Sequence, residues 1–154
     1  MEHYTALSPY LKRRFGCKVY KLSLSAGCTC PNRDGTLGAR GCIFCSGSGE
    51  FAASGSASIP EQLEQAKYIL GKKAQGAKFI AYFQDFTNTY GAVSRLEPLF
   101  LAAMEPDDVV ALSIATRPDC LPEDILRMLS RLRARKPVFV ELGLQTVHQA
   151  SARY

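Results

Sequence analysis

The sequence predicts an α/β fold organised on a parallel sheet, and three observations predict it. From Lys18 onward, short β-branched runs alternate with helical patterns, which is how βαβ units read. The runs are apolar throughout, as expected of strands covered on both faces. Helix-start signals stand in the gaps between them. With 154 residues, 47% of them hydrophobic and 21% charged, the chain has the composition of one ordered globular domain and enough length to bury a core.

Residues 1–17 read as an N-terminal extension and residues 18–154 as the core domain. Strands are expected at Lys18–Ser25, Lys78–Phe83, Val109–Ala115 and Val138–Gly143, in one parallel sheet in sequence order with helices covering one face. Ser58 followed by Glu61 makes a capping box ahead of Leu63, Ala66 and Leu70, and Ser94 with Glu97 repeats that signal ahead of Leu99, Phe100 and Ala103. Pro122 suits the first turn of a third helix, whose apolar side carries Ile125, Met128, Leu129 and Leu132. A closed (β/α) barrel needs about eight strands, so about four βα units leave a parallel edge open. The fold therefore reads as unfinished and the chain as truncated, with self-association the expected consequence.

Residues 28–58 form a loop too long for a plain connection. Its later part, SGSGEFAASGSAS, reads as a linker. Its first part, CTCPNRDGTLGARGCIFC, does not.

The first residues lack the apolar run of a signal peptide, and no stretch approaches the ~20 apolar residues of a membrane span, so a cytoplasmic, non-membrane protein is expected. Thiols are kept reduced there, which directs six cysteines toward metal or redox chemistry rather than disulfides. The formal net charge of +5 comes partly from Lys12, Arg13 and Arg14 and partly from Arg127, Arg131, Arg133, Arg135 and Lys136. Basic residues near a helix C-terminus favour the helix dipole, so the second group gives only weak support for a nucleic-acid partner.

Four of the six cysteines fall between positions 28 and 45. Cys42 and Cys45 are separated by two residues, a spacing that lets one turn place two thiolates on one iron-sulfur cluster. Cys30 lies upstream, and glycines in the intervening PNRDGTLGARG allow the chain to fold back around a cofactor. Three thiolates leave one iron without a protein ligand, the open position that a catalytic centre keeps for its substrate. The two histidines, His3 and His148, form no ligand pattern, and Cys17 and Cys120 read as buried small hydrophobes.

The segment VYKLSLSAGCTCPNRDGTLGARGCIFC, followed in order by YFQDFTNTYG, LSIATRPDCLP and VELGLQTVH, resembles the radical S-adenosylmethionine (radical SAM) proteins of the YhcC type, whose iron-sulfur domain is akin to that of the Elongator catalytic subunit. The resemblance runs over nearly the whole chain. It implies an incomplete (β/α) barrel, a radical SAM partial TIM barrel, whose cluster loop follows the first strand. It implies a [4Fe-4S] cluster on Cys30, Cys42 and Cys45, with S-adenosyl-L-methionine bound across the C-terminal ends of the strands and cleaved reductively to a 5′-deoxyadenosyl radical. An electron donor such as flavodoxin or ferredoxin is implied as a partner. Phe44, just before the last cysteine, corresponds to the aromatic position that contacts adenine in relatives. Gln84, Thr87, Asn88 and Thr89 stand where relatives bind the methionyl end of the cofactor, and turn chemistry accounts for them equally. Arg117, Asp119, Glu141 and Gln145 stand at the mouth, as partners for ribose or methionine or as members of local salt bridges and caps. Asn32, Arg33 and Asp34 shape the cluster loop.

Relatives usually carry an aromatic residue at the position of Cys28. A fourth cysteine opens a rival, in which Cys28, Cys30, Cys42 and Cys45 close a four-thiolate zinc site in a nucleic-acid-binding module. Against it, the C-x-C pair is tighter than zinc sites usually use, and the other motifs are left unexplained. Relatives also continue with further βα units, which makes a truncated, non-catalytic fragment a third reading. Nothing in these residues selects RNA, protein or a small molecule as substrate.

Overall fold

Four strands carry the structure: β1 (Val19–Leu24), β2 (Lys78–Phe83), β3 (Val109–Thr116) and β4 (Val138–Leu142). They pair in parallel in the order β1-β2-β3-β4, and each lies within two residues of its expected bounds. The computed structural model describes residues 4–45 and 57–152. His3 and the linker expected over 46–58, up to residue 56, lie outside the described residues.

Side chains two apart share a sheet face. Leu22 and Leu24, Phe79, Ala81 and Phe83, and Leu112 and Ile114 accordingly form one apolar face, covered by α2 (Ile59–Leu70), α3 (Val93–Met104) and α4 (Glu123–Arg133). The helices contribute Leu63, Leu96, Phe100, Ala103, Ile125, Met128 and Leu132, all buried. Phe83 and Phe100 meet edge to face in this core, with ring centroids 4.9 Å apart.

The N-terminal segment is more than an extension. It forms α1 (Leu7–Phe15), which ends on Gly16 in the left-handed conformation (φ 71°). Leu11 packs on Ile80 and Ala111, on the sheet face away from the other helices, and Tyr10 meets Phe139 edge-on at 6.2 Å. Helices therefore lie against both faces, although only one cover was expected.

The capping box of α2 forms: the Ser58 backbone N–H donates to the Glu61 carboxylate at 2.8 Å. The second expected box does not. α3 starts from Ala92, one turn position too early for Ser94 to cap it, and Glu97 instead accepts two 2.8 Å hydrogen bonds from Arg131 of α4. Pro122 stands at the N-cap of α4 rather than inside its first turn.

At the β4 edge Val140 and Leu142 stay exposed, and Leu144 and Val147 beyond it are more so. No helix among the described residues is long and apolar enough to cross a membrane.

Candidate functional site

Because all four strands run the same way, the loops that leave them gather at one end of the sheet, the end where open α/β sheets bind ligands. The loop after β1 carries the cysteines and is folded by its own backbone. The N–H groups of Arg33 and Asp34 turn back to the Cys30 carbonyl, Leu37 N–H to Pro31, Gly41 N–H to Asn32, and Cys45 N–H to Cys42. Gly41 sits at φ 73°, which calls for glycine, and a Cβ there would fall 2.8 Å from Arg33 Nη1, the movable end of that side chain. Two bonds dock this loop on the one after β2: Thr87 N–H to the Thr29 carbonyl at 3.3 Å, and Thr36 Oγ1 with Tyr90 Oη at 3.0 Å.

A cleft of about 400 Å³ opens between the loops. Cys30, Cys42 and Cys45 all line it, together with Phe44, Thr87, Arg117, Asp119, Glu141 and Gln145, six of the nine residues expected at the cofactor or its mouth. Two of the three sulfurs receive a nitrogen donor: Asn32 Nδ2 donates to Cys42 Sγ at 3.2 Å and Arg33 Nη1 to Cys45 Sγ at 3.7 Å.

Three expected residues lie elsewhere. Gln84 is half-buried and off the cleft lining. Asn88 is fully buried, and its amide nitrogen donates to the Phe83 and Ala115 carbonyls at 3.1 and 3.0 Å, clamping the ends of β2 and β3 together. Thr89 is similarly spent, between Thr116 Oγ1 and the Cys120 carbonyl. Replacing Asn88 by alanine should therefore lower stability by about 2 kcal/mol, the sum of two lost hydrogen bonds. Urea unfolding checks it. An unchanged midpoint combined with weakened S-adenosylmethionine binding would return Asn88 to the cofactor.

Cys28 stands apart from the other three cysteines of its loop. Its neighbour-but-one Cys30 faces the cleft, while Cys28 joins the core and receives Arg95 Nη2 at 3.0 Å. Burial pushes its thiol up, and Arg95 only partly counters that. Arg95 also holds the Ala26 carbonyl at 2.8 Å, so it anchors the start of the loop. Cys120 is buried as expected and its thiol is likewise raised by burial, whereas Cys17 is only half-buried. His148 is exposed.

The polar mouth is electrostatically paired. Arg117 and Asp119 form a two-point ion pair at 2.9 and 2.8 Å, which holds the Asp119 carboxyl below the usual carboxylate range and raises the guanidinium. Glu141 accepts from Lys21 Nζ and Ser113 Oγ; burial pushes its carboxyl up, and these two partners outweigh it, leaving it lowered. The Lys21 ammonium sits 3.9 Å from the Tyr82 ring centroid, and burial first and then Glu141 raise the Tyr82 hydroxyl.

Sequence reasoning missed Phe86, which lines the cleft from a left-handed backbone position (φ 56°) under the Arg33 guanidinium, 5.2 Å away. Nothing in the local pattern marks it. Arg33 was expected to shape the loop, and it also reaches the cleft.

The chain is 46% identical over 153 residues to the Bacillus subtilis protein YtqA, covering 98% of this chain and 48% of that one. It is 40% identical over 141 residues to the Escherichia coli protein YhcC, covering 90% and 44%, and 33% identical over 144 residues to MJ0486 of Methanocaldococcus jannaschii, covering 91% and 44%. The chain thus spans about half the length of the curated relatives it matches. No family model matches it, and no solved structure does.

Among the described residues no three His, Cys, Asp or Glu side chains converge closely enough to hold a single metal ion. A closed four-thiolate zinc site would take Cys28 as its fourth ligand, and that thiol lies in the core beside Arg95. An iron-sulfur cluster offers separate irons to separate thiolates, so three cysteines spread around one cleft fit it.

Proposed function

We propose that this chain is a radical SAM domain, in which Cys30, Cys42 and Cys45 hold a [4Fe-4S] cluster and S-adenosyl-L-methionine occupies the adjoining cleft. The observation that carries the reading is that three cysteines from one loop line a single cleft at the C-terminal ends of parallel strands, while Cys28 does not. The four-stranded sheet is then part of the incomplete barrel of such enzymes, and the β4 edge is where further βα units add. The order of motifs that resembles radical SAM proteins supports the same reading. The activity of the whole protein, its electron donor of the flavodoxin or ferredoxin kind, and a reducing cytoplasmic setting belong to the proposal.

When bound, a reduced cluster supplies the electron that cleaves the sulfonium of S-adenosylmethionine to a 5′-deoxyadenosyl radical. The chain's own residues bind, orient and shield. Phe44, exposed at the rim, offers its ring to the adenine. Arg117, Glu141, Gln145 and Thr87 line the cleft as hydrogen-bonding partners for ribose and methionine. Phe86 and Pro118 supply apolar wall that limits water near a reactive carbon.

Anaerobic reconstitution with iron and sulfide should give about four irons per chain. Reduction in the presence of S-adenosylmethionine should then release 5′-deoxyadenosine. Stoichiometric zinc that resists replacement by iron would overturn the assignment in favour of a closed four-thiolate site.

A further inference from the structure

The two sulfur donors differ in charge. Asn32 is neutral, and Arg117, the other cation lining the cleft, is offset by its two-point pair with Asp119. Arg33 is the cation that reaches a sulfur of the cleft, and its side chain is held from three sides. Its guanidinium carbon lies 5.2 Å from the Phe86 ring centroid. Its stem runs over Gly41, where a Cβ would meet Nη1 at 2.8 Å and Cγ at 3.3 Å. Its Nη1 points at Cys45 Sγ, 3.7 Å away. A surface arginine that only solvates the loop needs no aromatic platform.

A cluster that takes up an electron becomes more negative by one charge. Hydrogen bonds to its sulfur ligands and nearby positive charge favour that reduced state and raise the potential. We propose that Arg33 is a positioning residue that sets the reduction potential of the cluster through its N–H···S contact with Cys45, on the platform of Phe86 and Gly41. The inference rests on the radical SAM reading above and adds to it a device for bringing the cluster within reach of a biological electron donor.

The test is a redox titration of the reconstituted chain, followed by the spectrum of the reduced cluster, with iron content measured in parallel. Arg33→Gln should keep about four irons per chain. At the parent's midpoint its reduced-to-oxidised ratio should fall about tenfold, equivalent to ~59 mV for one electron. Arg33→Lys, which keeps the charge without the planar fork, should fall between the two. Arg40→Gln removes an exposed cation of the same loop outside the cleft lining and should leave the midpoint within about twofold of the parent on the same ratio scale. A parent-like midpoint for Arg33→Gln at full iron content would overturn the proposal. So would a shift equally large in Arg40→Gln, which would reduce the effect to general surface charge. If Arg33→Gln fails to retain the cluster, Arg33→Lys decides: a lowered midpoint supports the proposal and a parent-like one overturns it. A parent chain that takes up no cluster refutes the domain assignment itself, and this inference with it.

Discussion

Replacing Cys30, Cys42 or Cys45 by serine is expected to reduce iron from about four per chain to below about one, while Cys28→Ser keeps the full complement. Each of the first three lines the cleft, so under the proposed assignment each substitution removes one of only three protein thiolates from the cluster. A serine hydroxyl is a poor replacement, since it must ionise at a much higher pH than a thiol to ligate iron. Cys28 is buried in the core, 7% exposed, with its sulfur turned to Arg95. Serine there retains a hydrogen-bonding partner for Arg95 and forfeits only part of the packing, at about 1–2 kcal/mol. All four variants, reconstituted side by side, are read by iron and sulfide content and by visible charge-transfer absorption. Equal loss in all four would sink the three-cysteine assignment and with it the open iron position. Loss in none would remove the cluster from this loop altogether.

The separation of Cys28 from its neighbours shows what a sequence can and cannot say about such a site. The spacing of Cys42 and Cys45 is legible because two cysteines on one turn are a local property. The strands are legible for a similar reason: β2 and β3, covered on both faces, are apolar over nearly their whole length and their bounds follow. What fails is whatever depends on a distant partner. Glu97 looks like a capping residue until Arg131, 34 positions on, takes its carboxylate. Asn88 looks like a mouth residue until β3 is beside β2 and the Ala115 carbonyl is within reach of its amide. Helix α1 has Tyr10, Leu11 and Phe15 at helical spacing, but Lys12, Arg13 and Arg14 among them dominate the local composition, and its apolar side gains meaning only against Ile80, Ala111 and Phe139. Phe86 gives no signal at all, because its role follows from a backbone turn and an arginine in another loop.

Phe100→Ala is expected to be the most destabilising single change in the core, with consequences that reach the site. Phe100 is fully buried on α3 and meets Phe83, equally buried, edge to face. Truncating a buried phenylalanine costs about 3–5 kcal/mol in lost transfer and cavity energy. The lost ring pair adds about 0.5–1.5 kcal/mol. Against a total of roughly 5–15 kcal/mol for a domain, that is enough to populate unfolded chain measurably. Phe83 is the last residue of β2, and its carbonyl is one of the two that Asn88 clamps, so the ring pair supports the strand end from which the loop bearing Phe86 and Thr87 departs. Phe100→Leu keeps most of the volume and should cost less than half as much, while Phe83→Leu with Phe100→Leu should be less than additive, because the two rings are lost as one contact. Urea unfolding of the parent and of four variants, Phe83→Leu alone included, measures each of these. A loss below about 1 kcal/mol in Phe100→Ala would mean that α3 is not held to the sheet by this contact, and the support it gives the cleft loop would have to come from another part of the core.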